Sequence, residues 1–265
     1  MNPHRRCLNF YRLRPCAQAV GWLVATMASA AAQTLPTGGV VVQGAGSIQA
    51  HGNAMVVNQA TPRLVTDWAS FSIGAGSSVK FVQPSADAVA LNRVVGNNAS
   101  AIFGSLSSNG HVYLQNPNGV LFAPGAQIDV GSLVATSLNA DVAQFMAGRL
   151  RLFGGSPASG DVVNEGRITA APGGHVVLVG PRVTNRGSIE ALGGTIGLAA
   201  GNAVTVDATG SGLLDIQVPV AAIDARLEHS GRLIADGGMV SLQAAAVDAA
   251  RRTVMQIDGV VRAQR

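Results

Sequence analysis

The chain has almost no cysteine: Cys7 and Cys16 are the only two among 265 residues. Everything after Cys16 therefore lacks a thiol, which excludes a disulfide framework and a Cys-ligated zinc from the body of the protein. Lysine is scarcer still, with Lys80 alone. Aromatic residues make up 4% and charged residues 12%. A polysaccharide lyase or hydrolase needs acids and bases clustered on one face, and so few dispersed charges speak against it. The formal net charge of +4 comes from Arg5, Arg6, Arg12 and Arg14; without these four the rest balances to zero. With no basic stripe to neutralise phosphates, a nucleic-acid partner is not expected. What is abundant is Val, Ile, Leu, Ala and Gly: 48% of the chain is hydrophobic and 33 residues are glycine. That composition suits stiff β-branched packing with tight corners and excludes a disordered chain.

The arginine-rich start is followed by an apolar stretch, Ala19 to Met27, and by small residues, Ala28 to Ala32, before Gln33. Residues 1–32 are therefore expected to be a secretory signal peptide, used by the Sec machinery and removed. The apolar stretch is shorter than the roughly 20 residues a membrane span needs. Both cysteines leave with it, so the mature chain would cross an oxidising periplasm without forming a disulfide.

One phrase recurs along the rest. Gly104-Ser-Leu-Ser-Ser-Asn-Gly110 returns as Gly166-Arg-Ile-Thr-Ala-Ala-Pro-Gly173, as Gly187-Ser-Ile-Glu-Ala-Leu-Gly193 and as Gly231-Arg-Leu-Ile-Ala-Asp-Gly237, with a fainter copy at Gly46-Ser-Ile-Gln-Ala50. Each unit is a turn, a short strand, a glycine corner and another short strand. A single unit cannot bury its apolar side, so copies must stack. Asn164 and Asn185 begin units 21 residues apart, and His229 follows 44 later, which suggests two further coils. A coil of about 20 residues with three short strands predicts an all-β fold, a right-handed parallel β-helix. The paired glycines 173–174, 193–194 and 237–238 mark corners that need positive φ or close backbone approach. Neither the Leu-x-x-Leu-x-Leu ladder of leucine-rich repeats nor a period of six is present. Leu138, Val142, Phe145, Met146 and Leu150 fall at helical spacing, predicting one short helical excursion packed against the solenoid. Ile257 to Arg265 has the pattern of another coil with no polar cap after it, so the repeat body is expected to continue beyond this sequence.

Between Trp68 and Thr136 the chain carries more specific phrases: Trp68-Ala-Ser-Phe-Ser-Ile-Gly74, Val79-Lys-Phe-Val-Gln-Pro84, Ala90-Leu-Asn-Arg-Val94, Asn116-Pro-Asn-Gly119, Ala126-Gln-Ile-Asp-Val130 and Leu133-Val-Ala-Thr136. Together these resemble the secretion domain of two-partner exoproteins, the filamentous-haemagglutinin-like family. The resemblance covers about residues 37–160, and the Asn-Pro-Asn-Gly tract is its most specific element. The second tetrad some members carry, Asn-Pro-Asn-Leu, is absent. The resemblance implies a leader at 1–32, a haemagglutination-activity domain at 33–160 and the opening of a β-helical body at 161–265. It implies a secreted or cell-surface adhesin with a host receptor or glycan as ligand. It also implies capture in the periplasm by an outer-membrane transporter, with Asn116, Pro117, Asn118 and Gly119 as the recognition motif. No catalytic, metal or cofactor role is expected. A polysaccharide lyase or hydrolase, or a contact-dependent toxin carrier that has lost its toxic domain, are the alternatives.

Physically, Pro117 pre-sets φ for a β-turn, while Asn118 and Gly119 both tolerate positive φ. His111 and His175 share a repeat position with Thr195 and Met239, which suggests surface decoration rather than metal ligation. Asp87, Arg93 and Asp129 suggest solvated charges or a coil-face pair. Gly74 to Lys80 lacks the Gly-Lys-Ser/Thr of a phosphate loop and is expected to be a turn.

Overall fold

A computed structural model describes residues 34–154, 159–208, 214–220, 225–245 and 254–264. The predicted leader lies outside them. The body is the right-handed parallel β-helix expected from the repeats. Each coil gives one strand to each of three sheets. The first sheet runs in order through Val40–Gln43, Arg63–Trp68, Val89–Val94, His111–Gln115, Ser132–Thr136, His175–Gly180, Thr195–Ala200 and Met239–Ala244. The second runs from Ser100–Ile102 and Val120–Phe122 to Met255–Ile257, and the third from Gly46–His51 to Val260–Arg262.

Alternation decides which side chains enter the helix. In Ser78–Val82, Val79 and Phe81 are buried while Lys80 and Val82 point outward. In-register pairing then stacks like on like. Leu106, Ile128, Ile168, Ile189 and Leu233 form one inward column of the third sheet, all essentially without solvent contact. Each buried aliphatic residue contributes about 1.5–3 kcal/mol. The resulting core runs without a break from Met55 to Ala235.

Polar side chains also enter the helix, and they do so as ladders. Asn164 Nδ2 donates to Asn185 Oδ1 at 2.7 Å, and Asn185 Nδ2 meets His229 Nδ1 at 3.0 Å. Trp68 Nε1 donates to Asn92 Oδ1 at 3.0 Å, while its ring packs edge-on against Phe71 with centroids 5.3 Å apart. Trp68→Phe keeps that packing and leaves a buried acceptor unpaired, so it is expected to lower stability by about 1–2 kcal/mol. An unchanged midpoint in chemical denaturation would show that the indole bond contributes nothing.

Three departures from the sequence reading have clear physical causes. First, His229 is the direct neighbour of Asn185, so the 44-residue interval is one coil and not two. Thr195–Ala200 pairs directly with Met239–Ala244; between them Arg226–His229 and Arg232–Ile234 stay in the helix, while Ala203–Ala208 and Leu214–Val220 leave it as an antiparallel pair. Second, the faint repeat at Gly46 is no coil copy. Gly46–His51 runs antiparallel to Ala54–Gln59, and Val40–Gln43 runs antiparallel to Arg63–Trp68, so both strands close the N-terminal end of the solenoid. Third, the expected helical excursion is shorter than its periodicity suggested. Only Val142–Met146 is helical, capped by Asp141 accepting from the Gln144 amide, and it is flanked by the strands Asn139–Ala140 and Leu150–Phe153.

The two excursions find each other. Leu150–Phe153 pairs antiparallel with both Asn139–Ala140 and Ala203–Ala208, making a fourth, four-stranded sheet outside the helix. This flap covers the outer face of the first sheet. Leu138, Phe145, Leu150 and Leu152 pack there against Val65, Leu91, Val134 and Val177 in a second, separate core.

Candidate functional site: the Asn116–Gly119 turn and its groove

The tract Asn116 to Gly119 forms the corner between the first-sheet strand His111–Gln115 and the second-sheet strand Val120–Phe122. Gly119 N donates to Asn116 O at 2.9 Å, closing a β-turn with Pro117 and Asn118 at its centre. Asn118 N donates to Asn116 Oδ1 at 2.9 Å, the side-chain-to-backbone bond that stiffens such turns. Gly119 has φ +108°, and no non-glycine described residue has positive φ. The expected positive φ therefore holds for Gly119 but not for Asn118. The Asn116 bond to its amide keeps Asn118 in ordinary backbone space.

The corner is clamped from both sides. Asn116 is fully buried; its Nδ2 donates to Asn98 O and to Ser100 Oγ, both at 3.0 Å. Asn118 Nδ2 reaches back to Gly96 O at 2.9 Å. On the other side Gly160 N donates to Pro117 O, and Val120 N to Asp161 O, both at 2.9 Å. There is no room for side chains between these layers: a Cβ on Gly160 would lie 2.0 Å from Asn118 O, and one on Gly119 2.8 Å from Asp161 O. Asn116 and Gly119 are thus buried builders of the turn, while Pro117 is partly exposed and Asn118 exposed.

Beside the turn lies an open groove of about 370 Å³, lined among others by Arg93, Val95, Asn97, Gln115, Asn118 and Asn139. Arg93 is held by Asp67 of the preceding coil through two bonds, at 2.7 and 2.8 Å. Those bonds are the main reason its pKa is raised above the usual value for arginine. Gln115 Nε2 donates to Asn139 Oδ1 at 3.2 Å, and Ala140 N donates to Gln115 Oε1 at 3.3 Å, tying the flap edge to the coil. Sequence reasoning found the turn and weighed Arg93, but missed Gln115 and Asn139. Their spacing carries no signal, because the groove joins residues of two coils and the flap.

The other titratable cluster sits under the flap. His175 is buried, not the surface decoration its repeat position suggested, because the excursions cover this part of the first sheet. The His175 and His111 rings meet edge-on at 5.3 Å, and Tyr113 packs against His175 and Phe145. Burial, reinforced by nearby His111, pushes His175 down to about 3; burial lowers His111 as well and raises Tyr113 to about 12. A histidine held neutral by the fold favours the folded state fully above its unfolded value near 6.5. As pH falls below 6.5 the unfolded chain binds the proton first, so stability should drop by about 1.4 kcal/mol per pH unit toward pH 3. Denaturation midpoints from pH 7 to pH 4 measure this, and His175→Gln should flatten the slope; a slope equal to that of the wild type would assign it elsewhere. Among the described residues no three His, Cys, Asp or Glu side chains gather to hold a metal ion, and no helix is long and apolar enough to cross a membrane.

The architecture is a parallel β-helix with an antiparallel N-terminal cap, an outer flap and a clamped Asn-Pro-Asn-Gly corner. The sequence model of the TPS secretion domain matches residues 32–265, and the chain belongs to that family. It is 37% identical over 221 residues to a heme/hemopexin-binding protein of Haemophilus influenzae, covering 81% of this chain and 24% of that protein. A second heme/hemopexin-binding protein of Haemophilus influenzae is 52% identical over 83 residues, 31% of this chain and 9% of that one. The chain thus spans about a quarter or less of the curated relatives it matches. Among solved structures, the HMW1 secretion domain of Haemophilus influenzae superposes with a TM-score of 0.71 at 28% identity, covering 78% of this chain and 57% of that one. The filamentous hemagglutinin secretion domain superposes with a TM-score of 0.54 at 17% identity over 84% and 99% of the two chains, a likeness of fold. Members of that family are secreted exoproteins of the two-partner type, whose secretion domain implies a cognate outer-membrane transporter.

Proposed function

We propose that the corner Asn116, Pro117, Asn118 and Gly119 is the feature by which the transporter's periplasmic domains recognise this chain. The observation that carries the reading is the division of labour within the corner. Two residues are buried and clamp a fixed turn, and two are presented outward. A rigid exposed turn loses little conformational freedom on binding, which favours recognition. Residues 1–32 serve as a leader removed after Sec-dependent passage. Residues 33–160 carry the export determinant, and 161–265 open the β-helical body. Coils that fold outside the cell bury apolar area at each step and so draw the chain outward.

Downstream of export the protein serves adhesion, with a host receptor or glycan as ligand. A second reading, binding of haem or of its carrier protein, is favoured by the two relatives named for that property. The groove offers such a ligand no His, Cys, Met or Tyr. The protein is not an enzyme and does not bind nucleic acid. Among the described residues several outer charges are paired, such as Arg182 with Asp161 and Arg186 with Glu165.

Secretion tests the export reading. The chain is expressed with and without its cognate transporter, and the medium and periplasm are compared. Appearance in the medium only with the transporter is expected. Equal release without it would overturn the reading and leave a self-standing β-helical protein.

A further inference from the structure

Two imidazoles and a phenol meet on the outer face of the first sheet, beside the helix of the flap. His111 opens the strand His111–Gln115 and His175 the strand His175–Gly180, with Ser132–Thr136 running between them. Strands two apart in a sheet stand about 9–10 Å from each other. Yet the two rings meet edge-on with centroids 5.3 Å apart. They lean together over the small Ser132, which pairs with His111 and accepts from the His175 amide. Tyr113 lies two residues on from His111, on the same face of the strand, and its hydroxyl is 3.4 Å from His175 Nε2. That separation is long for a hydrogen bond, whose heavy atoms sit roughly 2.7–3.2 Å apart.

The two spacings fit a metal centre better. A tetrahedral ion of the zinc type, with bonds of about 2.0–2.1 Å, holds neighbouring ligand atoms about 3.3–3.4 Å apart and two imidazole centres about 5.2 Å apart. Among the described residues the His111 ring makes no hydrogen bond, and the His175 ring makes only the long one to Tyr113. Burial favours the uncharged form of both imidazoles, the form whose lone pair a metal needs. Thr195, the register partner of His175, keeps a buried hydroxyl without a partner. Ligating histidines donate their second N–H to an oxygen of this kind. We propose that His111, Tyr113 and His175 bind one divalent transition-metal ion of the zinc type, with water as the fourth ligand. The phenol oxygen completes the set, so no third His, Cys, Asp or Glu is needed. His111 is only partly buried, which gives water access to the fourth position. Tyr113 also packs against Phe145 of the flap helix, so the ion would pin that helix to the coils. Haem is a different case, because its axial ligands stand on opposite faces of the porphyrin, whereas these three groups sit side by side.

The folded full chain, made without a histidine tag and stripped with a chelator, is titrated with Zn²⁺ by calorimetry and with Co²⁺ by visible absorption. One ion per chain, intense tetrahedral Co²⁺ bands and a melting temperature raised by Zn²⁺ are expected. His111→Thr, Tyr113→Phe and His175→Gln should each bind Zn²⁺ about tenfold or more weakly. Threonine already stands at this repeat position as Thr195, and Tyr113→Phe removes a single oxygen, so misfolding does not explain a loss in either. Melting temperatures without metal check that. His51→Ala changes an exposed histidine of the N-terminal cap and should bind as the wild type does. A wild-type chain that binds neither ion would overturn the proposal. So would wild-type affinity in any of the three cluster variants, or an equal loss in His51→Ala. None of these results touches the transporter reading, which secretion measures separately.

Discussion

Asn116→Ala is expected to cost about 3 kcal/mol of stability and to lower transporter-dependent release into the medium about tenfold or more. The side chain makes four hydrogen bonds. Its Nδ2 serves Asn98 O and Ser100 Oγ, and its Oδ1 accepts from the backbone and side-chain nitrogens of Asn118. Alanine removes all four and leaves a cavity in a fully buried corner. Asn116→Asp keeps the acceptor but turns a carboxylate oxygen toward the Asn98 carbonyl, where the amide had donated. It should be as damaging as alanine above pH 5. Asn118→Ala separates building from recognition. It removes the bonds from its exposed side chain to Gly96 O and to Asn116 Oδ1, while the backbone bond to Asn116 Oδ1 stays, and should lower stability by about 1 kcal/mol or less. If release falls with Asn118→Ala while the melting temperature holds, the exposed face of the turn is what the transporter reads. If release follows stability across all three variants, the tract is a structural corner only.

Gly194→Val is expected to prevent folding of the coils around it, with a loss above about 4 kcal/mol. The glycines at 131, 174, 194 and 238 stack at the corner before the first sheet. A Cβ on Gly194 would lie 1.7 Å from Gly174 O, one on Gly174 2.0 Å from Gly131 O, and one on Gly238 1.9 Å from Gly194 O. Backbone cannot withdraw from backbone here without breaking the ladder, because Thr195 N donates to Gly174 O at 3.1 Å across the same junction. The neighbouring Gly193 has φ +65°, and a Cβ there would meet only Gly173 N at 3.8 Å, an ordinary contact, so Gly193→Ala should be milder, about 1–2 kcal/mol from backbone strain alone. Circular dichroism and thermal melting of the two variants check the contrast. Equal effects would mean that close approach at Gly194 is relieved by a shift of the coils.

The contrast between these two glycines also shows where sequence reading succeeds. Paired glycines at 173–174, 193–194 and 237–238 indicate repeated corners before any coordinate is known. Yet only the stacked backbone shows that the first of each pair is needed for its φ and the second for its missing side chain. The turn at Asn116 was legible in the same way, because Asn, Pro and Gly carry their own backbone preferences. Its one misreading, the φ of Asn118, came from a hydrogen bond that composition does not express. The groove was not legible at all. Arg93, Gln115 and Asn139 come together through coil stacking and flap closure, and nothing in their spacing marks them.

The sequence by itself determined the repeat, the strand alternation, the cysteine-free body and the coil core, because these follow from local backbone preference and from apolar side chains that must be buried at a fixed period. The tertiary structure decided what local pattern cannot hold. It turned 44 residues into one coil by sending a hairpin outward, and it reversed the Gly46 strand into a cap. It also joined two distant excursions into a flap that buries His175. The physical reason is the same in each case. An excursion is stable only because the outer face of the first sheet offers apolar surface to cover, and that surface exists only once Val65, Leu91, Val134 and Val177 have been stacked by the coils beneath it.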